Sequence, residues 1–170
     1  KADPVSVDEE LSRVVPVVEA LAPVVRVSVD TMKPEVADAA VRAGATIVND
    51  VSGSLELAAV AARHGAAWIC MHMQGTPRTM QDAPHYDAVV AEVVDFLARR
   101  AEAGVAAGVG EVWIDPGIGF GKTTAHNLAL LAQLGRFAEL GVPLLAGLSR
   151  KKTIGDVTGR EDPHDRVHGS

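Results

Sequence analysis

The chain has 170 residues, enough for one domain or for part of a larger one. Its 48% hydrophobic and 22% charged residues argue for a packed core and against disorder, and a net charge of −6 argues against a broad nucleic-acid or anionic-membrane surface while leaving room for a local anion pocket. No apolar run reaches the roughly 18 residues of a membrane-spanning helix, and with Cys70 as the sole cysteine neither an intramolecular disulfide nor a multi-cysteine zinc site can form.

Ser6 and Glu9 have the spacing of a capping box, in which each side chain takes up the other's free backbone N–H, so a helix is predicted to start there. Leu11, Val14, Val15, Val18 and Leu21 mark its inward face, and Pro16 is expected to kink or split it. Residues 24–29 read as a first strand ending at Asp30-Thr31. Pro34 suits the first position of a second helix and Gly44 its stop. Residues 46–48 form a second strand ending at Asn49-Asp50, and a third helix covers about 54–63 with Gly65 beyond it. A third strand, 66–71, ends at His72. The fourth helix spans roughly 86–103, with Val89, Val90, Val93, Phe96 and Leu97 inward and Gly104 as its stop. Residues 112–114 form a fourth strand ending at Asp115. A fifth helix runs from near Thr123 to before Gly141, and a fifth strand, 143–146, leads to Ser149-Arg150-Lys151.

Most of these apolar runs are continuous rather than alternating, as in strands buried on both faces of a parallel sheet flanked by helices. Every strand ends in polar residues. In both a TIM (β/α)8 barrel and a doubly wound sheet, ligands bind at the carboxyl ends of the strands. Five such endings in sequence favour a barrel, represented by about five consecutive βα units. A complete barrel typically needs about 250 residues, so residues 1–170 are expected to be a single, incomplete barrel domain. The terminal 164–170 look like the entrance to another helix.

Taken singly, the strand-end residues have ordinary roles. Asp30 suits a cap or turn, Asn49-Asp50 an Asx-turn. Asn49 offers a ligand both a donor and an acceptor. His72 reads as a packed strand-end histidine and Met71 as core, although a thioether also packs against a flat ring. The other five histidines are read as surface or loop residues. Cys70, inside an apolar strand, reads as structural. No His, Cys, Asp and Glu cluster shows metal-ligand spacing.

The most informative stretch is Asp115-Pro-Gly-Ile-Gly-Phe-Gly-Lys122-Thr. Its G-K-T invites comparison with a P-loop, but Pro116 stands where the first glycine belongs, and proline lacks the N–H that would help cradle phosphate. A nucleoside triphosphatase is therefore excluded. What remains is a carboxylate followed by a glycine-rich loop whose backbone can approach a ligand. The cations of Ser149-Arg150-Lys151-Lys152 come directly off a buried strand, where one of them can hold an anion or a heterocycle's acceptors.

Five strings together resemble the dihydropteroate synthases, in that family's order and across essentially the whole chain. They are S-V-D-T-M (28–32), V-N-D-V-S-G (48–53), M-H-M-Q-G-T-P (71–77), D-P-G-I-G-F-G-K (115–122) and G-L-S-R-K (147–151). The resemblance implies a barrel enzyme of folate biosynthesis, a sulfonamide target. It joins 6-hydroxymethyl-7,8-dihydropterin diphosphate to 4-aminobenzoate, giving 7,8-dihydropteroate and diphosphate. It implies that Asp30, Asn49, Asp115 and Lys151 hydrogen-bond the pterin, that Met71, Phe120 and Gly147 line its pocket, and that Ser149 lies toward 4-aminobenzoate. Asp115 and Lys151 would be the catalytic pair. It further implies Mg²⁺, a cytoplasmic location and a homodimer, with no nucleic-acid or membrane partner.

The departures are also specific. The family's N-V-T-P-D-S-F-like and S-T-R-P-G-like segments have no counterpart, the Mg²⁺ ligand being expected in this missing N-terminal part, and Ala2-Asp3-Pro4 resembles the residues just after the second segment. The late R-V-H-D-like strand that binds diphosphate is absent too. Arg166-Val167-His168-Gly169 is similar only by chance, since it lacks the Asp. The 170 residues alone are therefore expected to be inactive. Two alternatives stand beside the synthase: a pterin-binding methyltransferase domain, and a non-catalytic homologue or fragment. The G-F-G-K and S-R-K runs favour the synthase.

Overall fold

Four short strands, β1 (Ser28–Asp30), β2 (Ile47–Asp50), β3 (Ala67–Met71) and β4 (Val112–Asp115), form a parallel sheet in the order β1-β2-β3-β4. They come from a computed structural model that describes residues 4–170; Ala2 and Asp3 lie outside the described residues. Helix α1 (Val7–Leu21) precedes β1, and α2 (Pro34–Arg42), α3 (Leu55–His64) and α4 (Val89–Ala106) connect the strands. After β4 come α5 (Thr124–Ala132), α6 (Leu134–Ala138), α7 (Lys152–Thr158) and a 3-10 turn, Pro163–Gly169. Each strand pairs with the next in sequence. Right-handed crossovers then put every connecting helix on one face, as in the wall of a TIM barrel, whereas a doubly wound sheet reverses its order partway.

The register explains the continuous apolar runs. Val29 pairs with Val48 and Val48 with Trp68, and Trp68 pairs with Val112. These residues, with Cys70 and Ile114, belong to the core packed under the helices. The opposite face carries Asp30, Asn49, Ile69 and Trp113 in one row, then Met71 beside Asp115. Because side chains alternate along a strand, Asn49 and Asp50 part company. Asp50 turns into the helix layer, fully buried. It accepts bonds from Ser52 N, Ser52 Oγ, Gly53 N, Ser54 N and Trp68 Nε1 at 2.6–3.1 Å. It is the Asx-turn that starts α3.

Several elements differ from expectation. Val24 and Val25 are 75% and 55% exposed and lie in the turn after α1, so β1 is confined to three residues. Helix α1 runs through Pro16 without a break, since the missing N–H falls on an exposed side of the helix. Ser6 caps Glu9 N at 3.2 Å, but the Glu9 carboxylate turns to Arg13, so only half of the capping box forms. The complete box lies at Thr123 and His126. Gly104 does not stop α4; it sits inside the helix where a Cβ would come within 2.8 Å of Trp68. The helix after β4 is broken at Gln133 into α5 and α6. The expected fifth strand shrinks to a single bridge, Leu144 to Ile114, supported by Ile114 N–Pro143 O and Leu145 N–Ile114 O bonds of 3.0 and 2.9 Å. His64 is not a free surface residue, since it bonds Asp38 of α2 at 2.8 Å.

Cys70 is fully buried in β3, and burial pushes its thiol well above its ordinary range. A thiol without thiolate character or access does not react. Native protein at neutral pH should therefore resist a maleimide that labels it within minutes in denaturant. Rapid native labelling would place Cys70 on the wrong face of the sheet.

Candidate active site

The polar row sits at the carboxyl ends of the strands. Asp30 accepts a bond from Asn49 Nδ2 at 3.1 Å. Burial raises the Asp30 pKa, the Asn49 bond opposes the rise, and nearby Asp50 and Glu10 add to it. Next to Asp30, buried Thr31 donates to Glu10 of α1, and Lys33 bonds the same carboxylate and Val5 O. This network fixes the turn after β1 against the first helix.

On the far side, Asp115 is buried and its Oδ1 accepts from Gly117 N at 2.8 Å. Among the described residues no group donates to its Oδ2, which leaves that oxygen for a ligand. Burial raises the Asp115 pKa, against the pull of Gly117 N–H, Lys151 and Lys122. Met71, its register partner, is buried beside it.

The loop 116–122 is tied down at nearly every residue. Lys122 is buried, and its Nζ reaches His72 O, Gly117 O and Phe120 O at 3.0–3.1 Å and His72 Nδ1 at 3.0 Å. Burial pushes its pKa down to about 7, with Asp115 opposing and Lys151 adding to the fall. His72 is packed edge-on against Phe96, and burial first, then Lys122, lowers its pKa to about 3. It is thus the packed strand-end histidine expected, and its lowered pKa keeps it neutral. Asn127 accepts from Gly119 N at 2.9 Å and donates to Thr153 at 2.8 Å. Tyr86 donates to Gly121 O at 2.8 Å and Gln81 to Gly119 O at 3.0 Å. The result is a rigid cradle presenting Ile118, Gly119 and Phe120.

Lys151 closes the site. Its Nζ donates to Ile118 O at 2.5 Å and lies 4.1 Å from the Phe120 ring centroid, a cation–π contact. Burial lowers its pKa and Asp115 opposes that fall. Asp30 and Asn49 therefore form one bonded pair, and Asp115, Phe120 and Lys151 form a second group around the loop. Gly147 and Ser149 stand apart on the rim. Both are exposed, and a Cβ on Gly147 would meet nothing within 4 Å. Among the described residues no group of three or more His, Cys, Asp or Glu is placed to hold a metal ion.

Gly117 shows why this loop needs glycine. It has φ 66°, and a Cβ would stand 2.0 Å from His72 O. The clash is with backbone, which cannot swing away. Gly117→Ala should therefore cost roughly 2 kcal/mol or more, read as a lower denaturant midpoint. An unchanged midpoint would mean that the loop adopts another path.

Sequence reasoning does not assign Lys122, Asn127 or Arg166. The G-K-T string draws attention to Lys122 only as part of a P-loop, and the failed spacing removes that role. A lone lysine after three spaced glycines is a usable signal, because such a turn exposes carbonyls that a buried ammonium can collect. For Asn127 and Arg166 no local signal exists.

A family model described as "Pterin binding enzyme" matches residues 1–170. The dihydropteroate synthase of Escherichia coli (strain K12) is 47% identical over 174 residues, covering 98% of this chain and 61% of that protein. The crystal structure of dihydropteroate synthase from Thermus thermophilus in complex with 4-aminobenzoate superposes with a TM-score of 0.93 at 53% identity, over 98% of this chain and 66% of that one. The Xanthomonas albilineans enzyme in complex with 7,8-dihydropteroate gives a TM-score of 0.88 at 50% identity, over 98% and 63%. The chain thus spans under two thirds of the length of the curated relative.

Proposed function

The chain belongs to the pterin binding enzyme family, and from that premise we propose that it supplies the pterin-binding wall of a dihydropteroate synthase. The observation that carries the reading is the shared polar face at the strand ends. Asp30, Asn49 and Asp115 share one sheet face at the strand ends, and Lys151 is stacked on Phe120 above the loop. A pterin edge alternates donors and acceptors. Two carboxylates, one amide and one ammonium complement such an edge with charge-assisted bonds. The ring faces would lie between Met71 and Phe120, and 4-aminobenzoate would approach over Ser149 on the rim.

In the proposed reaction the C–O bond to diphosphate breaks, the pterin methylene becomes cationic, the arylamine nitrogen bonds to it, and the nitrogen loses a proton. The Asp115 carboxylate faces the ring and stabilises the cation through a field already in place. Lys151 holds ring acceptors and keeps Phe120 aligned. Mg²⁺ belongs to this proposal as an aid to diphosphate departure. Among the described residues no group of three or more His, Cys, Asp or Glu is placed to hold it. A cytoplasmic homodimer is proposed on the same reading; among the described residues no helix is long and apolar enough to cross a membrane.

The rival of methyl transfer shares the acidic and amide contacts but gives no role to the Lys151–Phe120 contact. Full-length protein given the pterin diphosphate, 4-aminobenzoate and Mg²⁺ should form 7,8-dihydropteroate and diphosphate in equal amounts. Methyl transfer from methyltetrahydrofolate without diphosphate release would support the rival. Pterin binding with no turnover would leave a non-catalytic homologue.

A further inference from the structure

Arg150 stands between two proposed substrate residues, Ser149 and Lys151, yet its own side chain makes no hydrogen bond or ion pair among the described residues. Its backbone is the unusual part. It has φ 56°, in the left-handed region that non-glycine residues seldom occupy. Such a conformation persists when the surroundings over-determine it, and here both backbone polar groups are held by residues 166 and 170. Arg150 N donates to Ser170 Oγ at 3.0 Å, and Arg150 O accepts from Arg166 Nη1 at 3.1 Å. Ser170 Oγ in turn donates to Arg166 O at 3.0 Å, joining the two clamps.

Arg166 is built for this task. It is buried, and among the described residues no carboxylate lies within ion-pair distance. Its guanidinium instead uses Nε on Arg160 O at 3.0 Å, Nη2 on Glu161 O and Nη1 on Arg150 O. Three carbonyls converging on one planar fork require arginine, since an ammonium cannot present donors in that plane. Gly155 leaves the space: a Cβ there would come within 2.7 Å of Arg166 Nε. From Arg150 the chain passes directly to Lys151, which caps α7 and bonds Ile118 O.

We infer that Arg166 and Ser170 are positioning residues: by clamping Arg150 in its left-handed turn they aim Lys151 at Phe120 and hold Ser149 on the rim of the site. The inference rests on the proposed function for the meaning of those positions, but the clamp itself is tested without it. Releasing the clamp lets Arg150 relax to negative φ and swings Lys151 off the loop. A glycine at 150 adopts the turn unaided, so Arg150→Gly should restore what a clamp variant loses.

The experiment uses full-length protein with Arg166→Lys, Ser170→Ala, Arg150→Gly, and each clamp variant combined with Arg150→Gly. Lys151 is probed by an amine-acylating reagent with peptide mass spectrometry, and 6-hydroxymethyl-7,8-dihydropterin diphosphate by calorimetry. Ser170→Ala and Arg166→Lys should speed Lys151 labelling and weaken the pterin ligand by about tenfold. Arg150→Gly alone should match the parent, and the double variants should return toward it. Unchanged Lys151 labelling in both clamp variants would overturn the inference. So would faster labelling that Arg150→Gly fails to reverse, which is the pattern of general destabilisation. If the parent binds no pterin ligand, the proposed function fails while the labelling result still decides the clamp.

Discussion

Asp115→Ala in the full-length protein should lower turnover more than it lowers pterin affinity. The carboxylate is buried at the end of β4, with Oδ1 taken by Gly117 N and Oδ2 open to a ligand. Removing it would leave donors on a bound pterin edge unpaired in a poorly hydrated site, at roughly 2–4 kcal/mol in affinity. It would also remove the negative field facing the developing cation. That interaction is stronger in the transition state than in the ground state, so its loss should fall on kcat, by about 10²–10³-fold, as for other preorganised electrostatic groups. Lys151→Ala should fall mainly on affinity, because the acceptors it is proposed to hold would already be present in the bound substrate. The pH dependence has a definite sign. Burial raises the Asp115 pKa, and the ionised form is the one proposed to accept from the pterin. Affinity should therefore decline as pH falls through a range above that of an ordinary carboxylate. Asp115→Asn should lack that decline. Calorimetry across pH beside steady-state rates provides the check. Parental binding and parental turnover in Asp115→Ala would remove the pocket assignment and the synthase reading with it.

The extent to which this arrangement can be read from the sequence depends on the distance over which each feature is determined. Strand ends are local: an apolar run stopping at Asp30, Asn49 or Asp115 marks where the sheet meets solvent, and these three do share a face. Faces are not local where a strand is buried on both sides. Asn49 and Asp50 look alike in sequence, and only pairing with Ile69 and Cys70 sends one to the site and the other under the helices. Gly104 resembles a helix stop because glycine at such positions often is one, but the bulk of Trp68, 36 residues earlier, gives it a packing role instead. The run 24–29 reads as one strand by composition, yet the connection from α1 uses its first residues as a turn. The segment around Arg166 reads in sequence only as the entrance to another helix. Its burial follows from three carbonyls supplied by residues 150, 160 and 161, a convergence that no local pattern announces.

Lys122→Met should damage the site without touching any proposed substrate contact. The Lys122 ammonium collects the carbonyls of His72, Gly117 and Phe120. His72 O and Phe120 O have no other hydrogen-bond donor among the described residues, so a thioether in its place strands both. Each buried acceptor left unpaired costs about 1–3 kcal/mol. Against this stands the relief of burying one charge fewer, which in some proteins makes such replacements neutral or stabilising. Here the carbonyls should win, because the loop cannot turn them outward: Gly117 and Gly121 are pressed against His72 O and Gln74 O, with no room for a Cβ at either position. The variant should thus lose roughly 2–4 kcal/mol of stability. Its pterin affinity should fall as well, since Phe120 and the Ile118 carbonyl under Lys151 would no longer be fixed. The two proteins should also differ in pH response. The folded-state pKa of Lys122 is lowered to about 7 from an ordinary 10.5. Between those values the unfolded chain binds more protons than the folded one, so this group's contribution to stability rises with pH across that window. The gap between parent and Lys122→Met should accordingly widen from pH 7 toward pH 10. Denaturant unfolding at several pH values, with pterin calorimetry at one, measures both effects. A variant as stable as the parent at every pH, with parental pterin affinity, would show that the loop holds its shape without the ammonium at its centre.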